Sequence, residues 1–341
     1  MTLAIDGLRQ RRTRPLGAVR VGLATSLVLA AGFGAMVAMM FSVQDEMAAH
    51  DRDTQMVAVS QAITAALDQA GRFALAQAEI AARQPAVGHA LATGNRAELM
   101  RLTAGTYGYL RSQAVPIFGF HSADMKYLLR LHLPENFGDD LTKIRPMVLA
   151  ANRGRRSQVG LEIGVAGTFV RGIAVVQDGD QFAGSVEAGL NLEPILEQVK
   201  AVTNADIAIV LSQSLAEPPP RGPNDKVPGK VFGDLILFAS TDEPVFDALL
   251  RDGAAPQTRS REVTEHSFHG VSHGVLAQPL IDFSGRMIGT IVAVKSFAYQ
   301  NQQKHRTRTE LIAAALVASI LAFVTFSILA RLILAPHGTR A

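Results

Sequence analysis

Two stretches of the chain carry no charge at all: residues 21–43 and residues 311–330. At 1.5 Å per residue, each reaches roughly 30 Å as a helix, the thickness of a hydrocarbon core, so both are expected to cross a membrane. Between them, polar and apolar positions mix as in a water-soluble domain. Just beyond the first stretch, Met56, Val59, Ile63, Ala66, Ala70, Phe73, Ala76 and Ile80 recur at steps of three and four, with no proline and only Gly71 as an interior glycine. That spacing predicts a helix running to about Arg83, before Gln84 and Pro85. Continuous from the membrane, it reaches about 60 Å outward. Its alanine-rich stripe suits either its own domain or a parallel partner helix.

After a short helix at 96–110, the pattern changes to short alternating or apolar runs, predicting strands at 115–120, 127–132, 159–165, 169–177 and 182–190. A helix over 137–152 separates the second and third, with Pro146 as its weak point, and Asp178, Gly179 and Asp180 supply the last tight turn. A similar round follows: a helix at 193–202, a strand at 205–211, a loop holding Pro218, Pro219, Pro220 and Pro223, then strands at 231–240, 267–279 and 286–297. The final hairpin turns on Asp282, Phe283, Ser284 and Gly285. Both rounds close with a strand carrying a small pair, Gly184-Ser185 or Gly289-Thr290. The expected fold class is therefore α+β: a long helix, two tandem units with antiparallel sheets at about 84–191 and 192–300, and a flanking membrane helix on each side.

Net charge is only +3, which does not make the basic surface that nucleic acid requires. The basic residues are concentrated: Arg9, Arg11, Arg12, Arg14 and Arg20 precede the first apolar stretch, against a single Asp6, and Asp45, Glu46 and Asp51 follow it. Basic residues beside a first span stay in the cytoplasm. This places residues 1–20 inside, 44–310 outside and 331–341 inside again, a two-pass arrangement with a large extracytoplasmic domain. Lys304, Arg306 and Arg308 lie on the outer side of the second span and conflict locally with this orientation. The first apolar stretch exceeds the length usual for a cleaved signal, although Ala30, Ala31 and Gly32 offer small residues to a protease. Together with Gly34 and Ala35, they also make a face that a second helix can approach closely. Cysteine is absent, which excludes disulfides and thiolate sites.

Charges inside apolar strands ask for partners. Arg130 and His132 are two apart and share a strand face; Arg171 lies on another strand, with Glu162 and Glu187 on expected neighbours. These five groups can converge on a ligand. A guanidinium suits a carboxylate or phosphate and a glutamate suits an amine, so an anionic or zwitterionic metabolite fits. The competing reading pairs Arg171 with Glu187 and Arg130 with Glu162 as internal salt bridges. Phe118, Phe120, Tyr107 and Tyr109 are expected in the core. His266, His269 and His273 do not share one face of a single strand, so no metal site is expected from them. No phosphate-binding loop appears, since Val231 follows Gly229-Lys230, and no nucleophile elbow appears either. No enzyme activity and no cofactor are expected.

The run from Tyr127 to Asp140, then Glu162-Ile-Gly164, Arg171-Gly172 and Gly184-Ser-Val-Glu187, resembles the double Cache (PAS-like) sensory domains of bacterial chemoreceptors and two-component sensor kinases. The resemblance covers roughly residues 45–300 and is closest to the double sensory domain of two-component sensors. It implies a membrane-distal and a membrane-proximal unit, a small ligand held in the distal one, and signalling as a homodimer across the membrane. Family members continue into a linker and an output domain, whereas 11 residues follow Ala330. Either the chain is a truncated version of the family pattern, or output is expected to pass through the membrane helices to a cytoplasmic or membrane signalling partner. The alternative is an extracytoplasmic scaffold or docking subunit built on the same fold.

Overall fold

The computed structural model describes residues 3–164, 167–215, 229–268 and 270–333, and within them the side chains of residues 20, 23–163, 167–215, 229–268, 270–329 and 332. The side chains of Arg9, Arg11, Arg12 and Arg14, the prolines at 218–220 and 223, Val165, His269 and residues 334–341 lie outside the described residues. The chain divides into two compact units, Asp53–Ser296 and a second made of Met1–Arg52 with Phe297–Ala341.

One helix, α1 (Leu3–Ala82), runs through the first apolar stretch and into the larger unit. There it buries Met56, Val59, Ile63 and Ala70 as the periodicity predicts, then Ala74, Ala78 and Ala81. Phe73 and Ile80, expected on the same stripe, are instead 39% and 57% exposed. The reason is the close approach of helix to sheet: a Cβ on Gly172 would fall 2.1 Å from the Leu75 backbone nitrogen, and one on Gly71 2.5 Å from Val159. Only small residues fit such a contact, so the bulky ones turn away.

Two short helices follow, α2 (Pro85–Ala92), which the periodicity missed, and α3 (Arg96–Ser112), capped by the Asn95 side chain on the Glu98 amide at 3.1 Å. The first sheet is built from β1 (Ile117–Ser122), β2 (Tyr127–Arg130), β3 (Gln158–Gly164), β4 (Gly167–Asp178) and β5 (Gln181–Leu190), in the order β2-β1-β5-β4-β3 with every pairing antiparallel. The second strand stops at Arg130, so His132 lies in the following turn, and the expected strand face shared by Arg130 and His132 does not form. The expected helix over 137–152 is reduced to α4 (Pro146–Gly154). Pro146 occupies its first turn, where the missing N–H has no partner to lose, and residues 131–145 form a loop.

The second sheet repeats the scheme after α5 (Glu193–Thr203): β6 (Asp206–Ser212), β7 (Lys230–Phe232), β8 (Leu235–Ser240), α6 (Glu243–Arg251), β9 (Glu262–Phe268), β10 (Val271–Ile281) and β11 (Met287–Ser296), ordered β7-β8-β6-β11-β10-β9. Two expected strands are each divided, at Gly233 and at Gly270, whose φ values of 62° and 78° make the turns. The paired small residues explain themselves here. A Cβ on Gly184 would meet the His121 carbonyl oxygen at 2.1 Å and one on Gly289 the Val210 carbonyl oxygen at 2.2 Å, while Ser185 and Thr290 are fully buried beside them.

In the smaller unit, α7 (Ala298–Ile333) carries the second apolar stretch; it and α1 are each long and apolar enough to cross a membrane. Asp45 of α1 pairs with Lys304 and, at 2.6 Å, with Arg308 of α7, whose guanidinium also lies 4.9 Å from the Phe41 ring. Arg306 pairs with Glu310 at 3.0 Å. Each of the three basic residues that conflicts with the assigned orientation therefore has a carboxylate beside it.

Candidate functional site: a buried charge cluster beside a cavity

Register places the chemistry of the first sheet on one face. Arg171 stands opposite Gly160 on one side and Gly189 on the other; Glu162 is two residues from the first glycine and Glu187 two from the second. Gly119 faces both Glu187 and Arg130. Residues two apart along a strand share a face, so Arg130, Glu162, Arg171 and Glu187 all project the same way. The glycines opposite them leave room, and a Cβ on Gly119 would lie 2.5 Å from the Tyr127 hydroxyl.

Helix α4 crosses this face, and its N-cap residue Arg145 drops into the centre. Its guanidinium donates from Nε to Glu162 Oε2 at 2.7 Å and from Nη2 to Glu187 Oε2 at 2.5 Å. The other Glu162 oxygen accepts the Met147 backbone N–H at 2.9 Å, so this carboxylate caps the helix N-terminus. Glu187 also accepts from Arg171 Nη1 at 2.8 Å and from the Tyr127 hydroxyl at 2.5 Å. His121, fully buried, lies with Nδ1 3.1 Å from Ser185 Oγ and Nε2 3.4 Å from Glu187 Oε1.

The electrostatics follow from this geometry. Burial pushes the Glu187 carboxyl up, but Arg145 and Arg171 outweigh it and hold the group well below its ordinary value. Burial likewise opposes the charge on Arg145, and Glu162 and Glu187 override it. Tyr127 is driven well up by burial and by the neighbouring Glu187. His121 is lowered by burial, against the pull of Glu187, and His132 is lowered for the same first reason.

Of the five residues expected from the sequence, Arg171 and Glu187 pair as foreseen, but Arg130 does not pair with Glu162. Strands β2 and β3 are opposite edges of the sheet, too far apart for that contact. Arg130 instead donates to Asp139 at 2.5 Å and stacks 3.7 Å over the Tyr127 ring. Arg130, His132, Arg171 and Glu187 do line one cavity, of about 300 Å³, together with Arg145 and Asp139. Glu162 sits behind it. Two buried polar atoms among the lining residues have no hydrogen-bond partner: Arg171 Nε, which stands 3.7 Å from Glu162 Oε2 in an ion pair too long for a hydrogen bond, and His132 Nδ1.

Sequence reasoning missed Arg145, Tyr127 and His121. His121 had a usable signal, a lone titratable residue in the apolar run of β1. Phe118 and Phe120 are core as expected, Tyr107 is half-buried with its hydroxyl on the Pro116 carbonyl at 2.9 Å, and Tyr109 is 66% exposed, contrary to expectation. His266 and His273 turn out to be direct cross-strand partners, both against the Phe268 ring. Among the described residues, no group of three or more metal-ligating side chains forms there or elsewhere.

A family model described as the double sensory domain of two-component sensor kinase matches residues 53–300. No curated protein matches the sequence. Solved structures similar to this chain include the periplasmic domain of Vibrio cholerae LuxQ, 12% identical, TM-score 0.42, covering 70% of this chain and 99% of that one. The sensory domain of the Campylobacter jejuni chemoreceptor Tlp3 with isoleucine bound is 11% identical, TM-score 0.43, covering 75% and 96%. The sensor domain of the V. cholerae histidine kinase DctB is 12% identical, TM-score 0.43, covering 74% and 98%.

Proposed function

Because this chain belongs to the family of double sensory domains of two-component sensor kinases, we propose that it is a membrane-anchored receptor that binds a small ligand outside the cytoplasm and signals through its two membrane helices. The observation that carries this is a cavity of about 300 Å³ in the first unit, lined by the buried Arg171 guanidinium, whose Nε makes no hydrogen bond and has only Glu162 at 3.7 Å beside it. A folded protein rarely leaves a buried donor unsatisfied without a use for it. An anionic or zwitterionic molecule supplies the missing acceptor.

In this reading, residues 21–43 and 311–330 span a bacterial inner membrane, 44–310 lie in the periplasm with the first unit distal, and both termini are cytoplasmic. The exposed Phe73, Ala76 and Ile80 on α1 supply a seam for a second copy, giving a homodimer. A cytoplasmic or membrane partner receives the signal. Signalling requires the ligand to bind one arrangement of the helices better than another.

The scaffold alternative is favoured by one observation: Glu187 already accepts from three side chains of its own protein, as a purely structural ion-pair cluster would arrange. A melting screen of the full chain in lipid discs against carboxylates, amino acids, amines and purines separates the two. A saturable rise in melting temperature, lost in Arg130→Ala, supports the receptor by mass action. No shift from any compound supports the scaffold.

A further inference from the structure

The atoms already used in the cavity, and the two left over, restrict what can enter it. Each Glu187 oxygen accepts two donors, Oε1 from Tyr127 and Arg145 Nη1 at 2.5 and 3.3 Å, and Oε2 from Arg145 Nη2 and Arg171 Nη1 at 2.5 and 2.8 Å. Both Glu162 oxygens are taken, by Arg145 Nε and the Met147 amide. Asp139, at the rim, accepts from Arg130 at 2.5 Å. Glu187, the buried carboxylate in the lining, therefore has no acceptor site left for a ligand ammonium, and Glu162 does not line the cavity; an ammonium there would also face three guanidiniums. The two unpartnered atoms are of the other kind. Arg171 Nε is a donor only, and His132 Nδ1 becomes one when the ring is charged.

Charge bookkeeping adds a second constraint. Arg130, Arg145 and Arg171 are balanced by Asp139, Glu162 and Glu187. A monoanion entering this balanced site would leave it with an uncompensated buried charge, which proteins avoid by moving a proton. The groups facing His132 are Glu187 and the Phe118 carbonyl, which favour a charged ring, and Arg130 and Arg171, which oppose it; burial opposes it most, and the balance lowers the ring's affinity for a proton. A carboxylate placed beside it adds the opposite charge that reverses the balance.

Resting on the receptor reading above, we infer that the cavity takes a small carboxylate lacking an ammonium group, held by Arg171, and that the ligand enters with one proton from solvent, which binds the unprotonated nitrogen of His132. Binding then strengthens as pH falls, by up to about tenfold per pH unit for one linked proton. The dependence ends once the pH drops below the value His132 has in the empty site.

The experiment is titration calorimetry on the full chain in lipid discs, using matched pairs as probes: lactate against alanine, and succinate against aspartate, between about pH 5.5 and 8. Expected are tighter binding of lactate or succinate than of its amino counterpart, a Kd that falls with pH, and proton uptake near one per ligand, read from the heats in two buffers of different ionisation enthalpy. His132→Gln is expected to flatten the pH dependence of the same probe. Tighter binding of alanine or aspartate overturns the inference and leaves the receptor reading standing. Binding of lactate or succinate with no proton uptake overturns the role of His132. Binding of none of the four overturns the inference, and silence across the wider melting screen overturns the receptor reading with it.

Discussion

Arg171 and Gly172 are consecutive on β4 and face opposite ways: the arginine lines the cavity, and the glycine lies against the backbone of Leu75 on α1, 2.1 Å from where its Cβ would stand. A single strand thus separates the proposed ligand from the helix that continues back to Leu3. A movement of the strand at Arg171 would reach α1 directly, because the strand has no side chain at Gly172 to absorb it. Gly172→Ala should displace α1 and destabilise the protein by about 1–3 kcal/mol, the range for overpacking a close contact. Urea unfolding of the variant checks this; an unchanged midpoint would mean that the helix does not rest on the strand.

The charge cluster should be strongly asymmetric in its response to mutation. Glu187→Ala removes the acceptor shared by Arg145, Arg171 and Tyr127, leaving two arginines buried without it, and should cost about 3–5 kcal/mol. Asp139→Ala breaks a pair at the rim, where Asp139 is 40% exposed, and should cost no more than about 1 kcal/mol. Equal losses in denaturant unfolding would contradict the account of the cluster.

Acid should weaken the fold in two stages. Burial holds His121 below the ordinary imidazole value of 6.5, so between 6.5 and that lower value the unfolded chain binds more protons and stability falls as pH drops. Glu187 is held below 4.5 by its arginines, so its contribution is complete above 4.5 and is lost as pH falls further. Melting temperatures followed from neutral pH downward should decline through both windows. His121→Gln should reduce the upper decline, with His132 supplying what remains of it, and keep the lower one.

Much of this site could be read from the residue pattern, and the failures share a cause. Glu162, Arg171 and Glu187 stood out as charges in apolar strands, and the Arg171–Glu187 pair was correctly foreseen. The Arg130–Glu162 pair was wrong because strand order is a long-range property: β2 and β3 are sheet edges, which spacing along the chain does not reveal. Arg145 was hidden by the apparent helix over 137–152. Only the start of α4 at Pro146 makes its predecessor an N-cap that can reach the sheet. His132 was assigned to a strand that ends two residues earlier, yet it still reaches the cavity from the turn.

Asp45 should lie beside Arg308 in the membrane-anchored protein as it does in the structure, where their side chains meet at 2.6 Å. The chain has no cysteine, so a double variant, Asp45→Cys with Arg308→Cys, offers a single intramolecular pair. Oxidation of membranes carrying it should give a faster-migrating species that reductant reverses. A control pair, Asp45→Cys with Leu329→Cys at the far end of α7, should give none. Equal yields from the two pairs would contradict the contact.

The central claim is that the cavity around Arg171 and Glu187 is where the ligand sits, and the rate of thiol labelling at its mouth tests it most directly. Leu133 lines the cavity and is 52% exposed, so Leu133→Cys should label readily in the empty protein. The compound giving the largest shift in the melting screen should slow that labelling saturably, while Tyr109→Cys, at a site 66% exposed on α3, labels at an unchanged rate. Labelling of Leu133→Cys that is indifferent to a saturating amount of the same compound would place the ligand elsewhere and contradict the account.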